Sequence, residues 1–135
     1  MKIAGILLLV LMGFSSCATK PVLISEDLSA AEMVQRAQEA SDRNRFKTSL
    51  QYYETILERF PWDSEFVCTA EYEIAFIHYK QKKYDLSKSE FNTLLERYNT
   101  PDEELLPQQF KILSNKILGN IAEIESRRKP SRVGG

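Results

Sequence analysis

The sequence predicts an all-α fold, with two antiparallel helix pairs followed by one closing helix. Apolar residues recur at helical spacing in five successive segments. Polar links or prolines break those segments at matching places. The second pair repeats the first at a spacing of 38 residues, a range typical of helical repeats.

Residues 1–17, MKIAGILLLVLMGFSSC, precede the helical part. One cation, Lys2, leads an unbroken apolar run of twelve residues, Ile3 to Phe14. A helix crossing a bilayer needs about 20 apolar residues, and the apolar part of an export signal has about 7–15. The run therefore reads as a cleavable signal over residues 1–16. Ser15-Ser16-Cys17 resembles the lipobox of bacterial lipoproteins, with Phe14 where most carry Leu. That resemblance implies a diacylglyceryl group on Cys17, which becomes the first residue of the mature chain. Plain secretion after a cut near Ser16 is the alternative. Two or three acyl chains, at ~0.8 kcal/mol per buried CH₂, hold a protein far more firmly than one myristate. Ala18 stands where an Asp retains many Gram-negative lipoproteins in the inner membrane, so the same resemblance implies the outer membrane. Residues 17–28 read as the lipidated end and a short tether, with Pro21 and no helical periodicity.

The helical domain covers residues 29–128. Ser29 is placed to N-cap the first helix, with Glu32 as capping-box partner, and the helix runs over 29–43. Phe46, Leu50, Tyr53, Ile56, Leu57 and Phe60 form the stripe of the second helix, which Pro61 stops. The third is predicted over about 64–82 and the fourth over 84–98. Polar hinges, Asn44-Arg45 and Gln81-Lys82-Lys83, fit antiparallel pairs. Thr100-Pro101-Asp102-Glu103 reads as a fifth helix start, with a cap, a proline at the first position and early acids. Pro107 restarts or kinks it. Phe110, Leu113, Ile117, Ile121 and Ile124 carry its stripe to about Arg128, and residues 129–135 read as a basic disordered tail.

Residues 45–63, RFKTSLQYYETILERFPWD, align with 83–101, KYDLSKSEFNTLLERYNTP. Ala37 and Ala75 take small positions in the leading helices. Phe46 and Tyr84 open the second helices, Ser49 and Ser87 sit at the crossing, and Tyr53 and Phe91 follow. This pattern resembles the tetratricopeptide repeat (TPR), a 34-residue helix pair, with four extra residues near 61–66. The resemblance implies a short right-handed α-solenoid of two helix pairs and a capping helix.

In that register Thr69, Tyr72, Phe76 and Tyr79 fall on the face that TPR arrays use to bind peptides. Ala70, Ile74 and Ile77 on the other side already suffice for packing. The three aromatics are thus either peptide anchors or a seat for the capping helix. Lys80, Lys82 and Lys83 lie close enough to meet a carboxylate. Trp62 is either an exposed partner contact or packed beneath its loop. His78, the only histidine, lacks a second metal ligand at useful spacing and reads as core or half-exposed. With Cys17 lipidated, Cys68 has no disulfide partner and reads as a small buried residue. The glutamates at 54, 58, 71, 73, 90 and 96 fall within helices, pair readily with Lys or Arg and read as solvated helix faces.

A net charge of −1 implies no nucleic-acid partner. The sequence offers no Gly-rich phosphate loop and no nucleophile with a supporting base, so a non-enzymatic role is expected, with no cofactor beyond the lipid on Cys17 and no small-molecule substrate. The lipidated cysteine, the short tether, Arg59-Phe60-Pro61-Trp62 and Ala75-Phe76-Ile77-His78-Tyr79-Lys80 together resemble the BamD (YfiO, ComL) family over about residues 17–100. That family serves the outer-membrane β-barrel assembly (BAM) machinery. It typically has five repeats, against about two and a cap here. The resemblance implies a periplasm-facing scaffold that binds a BamA-like barrel subunit or unfolded outer-membrane proteins, with Tyr72, Phe76, Tyr79, Lys80 and Trp62 as contact residues. The alternative is a TPR lipoprotein that organises cell-wall, division or transport complexes.

Overall fold

The computed structural model describes residues 20–128. The signal segment, Cys17 and the tail 129–135 lie outside the described residues. Five α-helices follow one another: α1 (Ala30–Asp42), α2 (Phe46–Arg59), α3 (Ser64–Lys80), α4 (Tyr84–Glu96) and α5 (Gln108–Arg128). Short 3-10 turns cover Arg97–Asn99 and Glu103–Leu105, and the described residues include no strand.

Local chemistry sets the starts. Ser29 Oγ accepts from the Glu32 amide at 3.3 Å, and the Glu32 carboxylate accepts from the Ser29 amide at 3.0 Å. This capping box satisfies two orphan donors at once, and it holds the Glu32 carboxyl below its usual value. Asp63 Oδ1 accepts from the amides of Glu65 and Phe66, which starts α3 right after the Pro61-Trp62 bend. The fifth helix departs from expectation. Thr100-Pro101 opens only a 3-10 turn, and α5 begins after Pro107. Proline disfavours α conformation in the residue before it, and Leu106 is extended at ψ 151°.

The two hairpins, α1–α2 and α3–α4, repeat atom for atom at the crossing. Ser49 Oγ donates to the Ala37 carbonyl at 2.7 Å, and Ser87 Oγ donates to the Ala75 carbonyl at 2.8 Å. All four residues are fully buried. The hairpin turns match too. Asn44 (φ 55°) and Lys82 (φ 61°) both take the left-handed conformation. The next amides, Arg45 and Lys83, donate back to Ala40 and His78 at 2.8 and 2.9 Å.

Helix α3 belongs to two cores. On one side Ala70 and Ile77 pack with Met33, Ala37, Tyr53 and Ile56 of α1 and α2. On the other, Cys68, Tyr72 and Ala75 pack with Phe91 and Leu94 of α4 and with Phe110, Ile117 and Ile121 of α5. Each large apolar side chain buried this way contributes about 1.5–3 kcal/mol.

Residues 20–28 form no helix, but they lie against the domain along α2. The Gln51 side-chain amide accepts from the Val22 amide at 2.9 Å and donates to its carbonyl at 2.5 Å. Arg59 donates to the Ser25 and Ile24 carbonyls at 2.9 and 3.3 Å. Val22, Ile24 and Leu28 pack on the first core. The segment therefore runs parallel to α2, with Lys20 beside the α1–α2 turn.

Candidate interaction surface

One α3 face looks across at α1. Thr69, Glu73, Phe76 and Lys80 recur at i, i+4, i+7 and i+11, so they share a stripe. Lys80 defines where the stripe points. Its Nζ donates to Ser41 Oγ of α1 at 2.6 Å and lies 5.2 Å from the ring centres of both Phe46 and Phe76. Lys80 therefore staples α3 to the first hairpin through a hydrogen bond and two cation–π contacts. It is not a free cation awaiting a carboxylate, although the residue remains exposed.

Tyr72 requires a correction. The expected register put it on the open face, but it is buried against Phe91 (5.6 Å between ring centres) and Phe110 of α5 (5.3 Å). The capping helix takes it as a seat, and burial pushes its phenol pKa up. Phe76 is half-buried. It stacks on Tyr72 at 5.8 Å and 15°, and on Tyr79 at 5.9 Å and 16°. Tyr79 is half-buried and leans on Tyr84 at 5.9 Å. The aromatics thus form one ribbon, from the core at Phe110 out to Tyr84. Phe76 is the member that also borders the α1–α3 stripe.

Trp62 projects from the α2–α3 link, 76% exposed, with only an edge contact to Phe60 at 6.0 Å. Lys82 and Lys83 are exposed and make no ion pair among the described residues. Cys68 is fully buried, and burial pushes its thiol pKa up, against nucleophilic use. His78 Nδ1 lies 2.8 Å from a Glu90 carboxylate oxygen, on the outer side of the α3–α4 pair. No group of three metal-ligating side chains occurs among the described residues.

Three of the glutamates are engaged, Glu71 with an arginine as expected and the other two in ways the sequence reading did not give. Glu71 takes both Nε and an Nη of Arg97 at 2.7 Å, a bidentate clamp on the end of α4. Glu90 holds His78. Glu73 lies on the α1–α3 stripe, and burial pushes its carboxyl pKa up, against the opposing pull of Lys80. Pattern reading missed the settings of Glu73 and Glu90 because they lie on helical faces that a neighbouring helix covers only after docking.

No family model matches the chain. No solved structure matches it either. Over 97 residues, 70% of the chain, it is 31% identical to an uncharacterized protein of Treponema pallidum (strain Nichols), and it spans 39% of that relative's length.

Proposed function

We propose that this chain is a lipid-anchored, non-enzymatic TPR-type scaffold of the bacterial outer membrane. It holds a protein partner during β-barrel assembly, either a BamA-like barrel subunit or an unfolded outer-membrane protein. The observation that carries the scaffold reading is the repeated crossing. The same buried serine-to-carbonyl bond and the same left-handed hinge recur 38 residues apart. A repeat of that kind stacks helix pairs in one direction and lines their leading helices, α1, α3 and α5, along one side. Phe76, with Lys80 beside it and Glu73 below, is the contact group on that side. Tyr72 supports it from within, and Tyr79 extends the ribbon. Trp62, exposed on the α2–α3 link, offers a separate aromatic contact.

The barrel-assembly role draws on the lipobox-like Cys17 and on the stretch from Arg59 to Lys80. The test is detergent extraction of the tagged, lipidated protein from its own membranes, affinity capture, and mass spectrometry of the eluate. Enrichment of a large barrel protein, with loss of that enrichment in Phe76→Ala, supports the reading. Recovery of cell-wall, division or transport proteins without the barrel protein replaces it with the envelope-organising alternative.

A further inference from the structure

The helices run between two ends of opposite charge. At one end lie both hairpin turns, the last turn of α5 and the first described residue of the tether. The cations there are Lys20, Arg43, Arg45, Lys82, Lys83 and Arg128. Lys20 shares a cavity of about 430 Å³ with Asn44, Arg45 and Phe46, which places the tether's start at the first turn. Arg128 lies 5.2 Å from the centre of the Tyr84 ring, one residue from Lys83, which places the end of α5 at the second turn. Arg43, Arg45, Lys82 and Lys83 are exposed and make no ion pair among the described residues. The carboxylates nearby are Asp42, Asp85, Glu123, Glu125 and Glu39, which lines one cavity with Arg43 and Arg45. Three of these are engaged, Glu125 and Asp85 by Lys88 and Glu123 by Arg127. The opposite end, at the links between hairpins, exposes Glu26, Asp27, Asp102 and Glu104, while its arginines are engaged, Arg97 by Glu71 and Arg59 by the Ser25 and Ile24 carbonyls. A chain of net charge −1 has sorted its charges by end.

Arg43, Lys82 and Arg128 sit at helix C-termini, which favour cations, but two of the cations sit where folding does not favour them. Arg45 and Lys83 occupy the N-cap positions of α2 and α4 and make no side-chain cap bond. A helix start carries partial positive charge and favours Ser, Asp or Asn. The same unfavourable choice is made in both hairpins, so local stability does not explain it. Of the exposed large apolar residues, Trp62, Leu105 and Ile112 belong to the opposite end, Leu113 follows Ile112 on α5, and only Leu86 and the tether's Leu23, three residues after Lys20, lie toward the basic end. Protein interfaces need an apolar centre, whereas a headgroup layer needs only cations.

We propose that the hairpin-turn end is a docking surface for anionic phospholipid headgroups, which stands the domain on the bilayer with its helix axes pointing at the membrane. The approach rests partly on the lipid-anchor reading above. Cys17 is three residues before Lys20, so its Cα lies within about 11 Å of the Lys20 Cα even on a fully extended chain. The anchor therefore enters at the basic end. The charges alone make the same case, because juxtamembrane cations bind anionic leaflets and lose that attraction within a Debye length. The partner-facing α1–α3 stripe then stands along the side of the domain, clear of the bilayer.

The test removes the lipid so that only the surface acts. Residues 17–135 with Cys17→Ser retain every described element. They are floated with vesicles of phosphatidylcholine alone and of phosphatidylcholine mixed with phosphatidylglycerol. The expected result is binding to the anionic vesicles only, abolished at high salt and weakened about tenfold or more by R43E/R45E/K83E. Circular dichroism checks that this variant keeps its helix content, and E26K/E104K, at the other end, should not weaken binding. Equal binding to both vesicle types, full binding by the triple variant, or capture by heparin without capture by vesicles would overturn the proposal. Loss of vesicle binding leaves the partner reading untouched, since that rests on the pull-down. A failed pull-down likewise leaves the vesicle result standing.

Discussion

Tyr53 and Phe91 hold the same place in the two hairpins, and both are completely buried. Phe91 meets Tyr72 and belongs to an aromatic core that α5 closes. Tyr53 belongs to a more aliphatic core, with Met33, Ile56 and Ile77, flanked by the tether residues Val22, Ile24 and Leu28. Its hydroxyl finds no hydrogen-bond partner among the described residues, so the first hairpin carries a buried polar defect that the second lacks, having Phe there. The pair teaches that the repeat specifies the crossing and the hinge, while each outer face is specified by its cover. A helix covers the second hairpin and nine described residues of extended chain, 20–28, lie along the first.

The sharpest way to break this comparison is to empty the aromatic core. Phe91→Ala should cost about 3–5 kcal/mol, read as a lowered urea midpoint. A loss below about 1 kcal/mol would mean α5 is not packed as described. Next come the crossings. Ser49→Ala and Ser87→Ala each remove a buried hydroxyl bond and should each cost about 1–1.5 kcal/mol, similar in the two hairpins. A markedly larger loss at one site would show that the hairpins are not energetically equivalent.

Tyr53→Phe imports the second hairpin's solution. It should leave stability unchanged or raise it by about 1 kcal/mol, because it deletes an unsatisfied buried group. The same variant has a pH signature. Burial, with Glu73 and Asp42 nearby, raises the folded-state phenol pKa above its ordinary 10.0. Above about pH 10 the unfolded chain therefore releases a proton that the folded chain keeps, and stability falls as pH rises. Alkaline urea titrations should show a shallower fall for Tyr53→Phe than for the parent. Tyr98 is raised in the same sense, so part of the fall should remain.

The smallest effect concerns the tether. Gln51→Ala removes both bonds to Val22 and should cost about 0.5–1 kcal/mol. Its clearer mark is faster hydrogen exchange at the Val22 amide, with the α2 amides unchanged. Unchanged exchange would show that apolar packing alone holds the segment.

Much of the helical frame could be read in advance because its causes are local. The Ser29–Glu32 box, the stop at Pro61 and the hinge at Asn44 act within a turn or two of themselves, and the observed ends fall within one or two residues of expectation. The start of α5 falls at the second of two signals that compete within seven residues. The Thr100-Pro101 cap signal is local, but Pro107 vetoes any helix running through it. The contact residues were less legible. Tyr72 and Phe76 are four apart on one helix and belong to the same apolar surplus, yet one is a core residue and the other half-buried. Nothing within α3 distinguishes them, since the difference is where Phe110 lands. Lys80 reads as a free cation until Ser41 and Phe46, 39 and 34 residues away, arrive beside it.

The sequence by itself determined five helices, their order, their hinges and the equivalence of the two hairpins, because spacing, caps and prolines act over short stretches of chain. Only the tertiary structure decided which side of α3 faces a cover and which faces out. It alone turned the extended stretch 20–28 into a strap along α2, and gathered cations from three separate turns and the tether at one end. Those outcomes depend on the rotation and docking of whole helices, which is set by the summed fit of distant surfaces and by no single residue's preference.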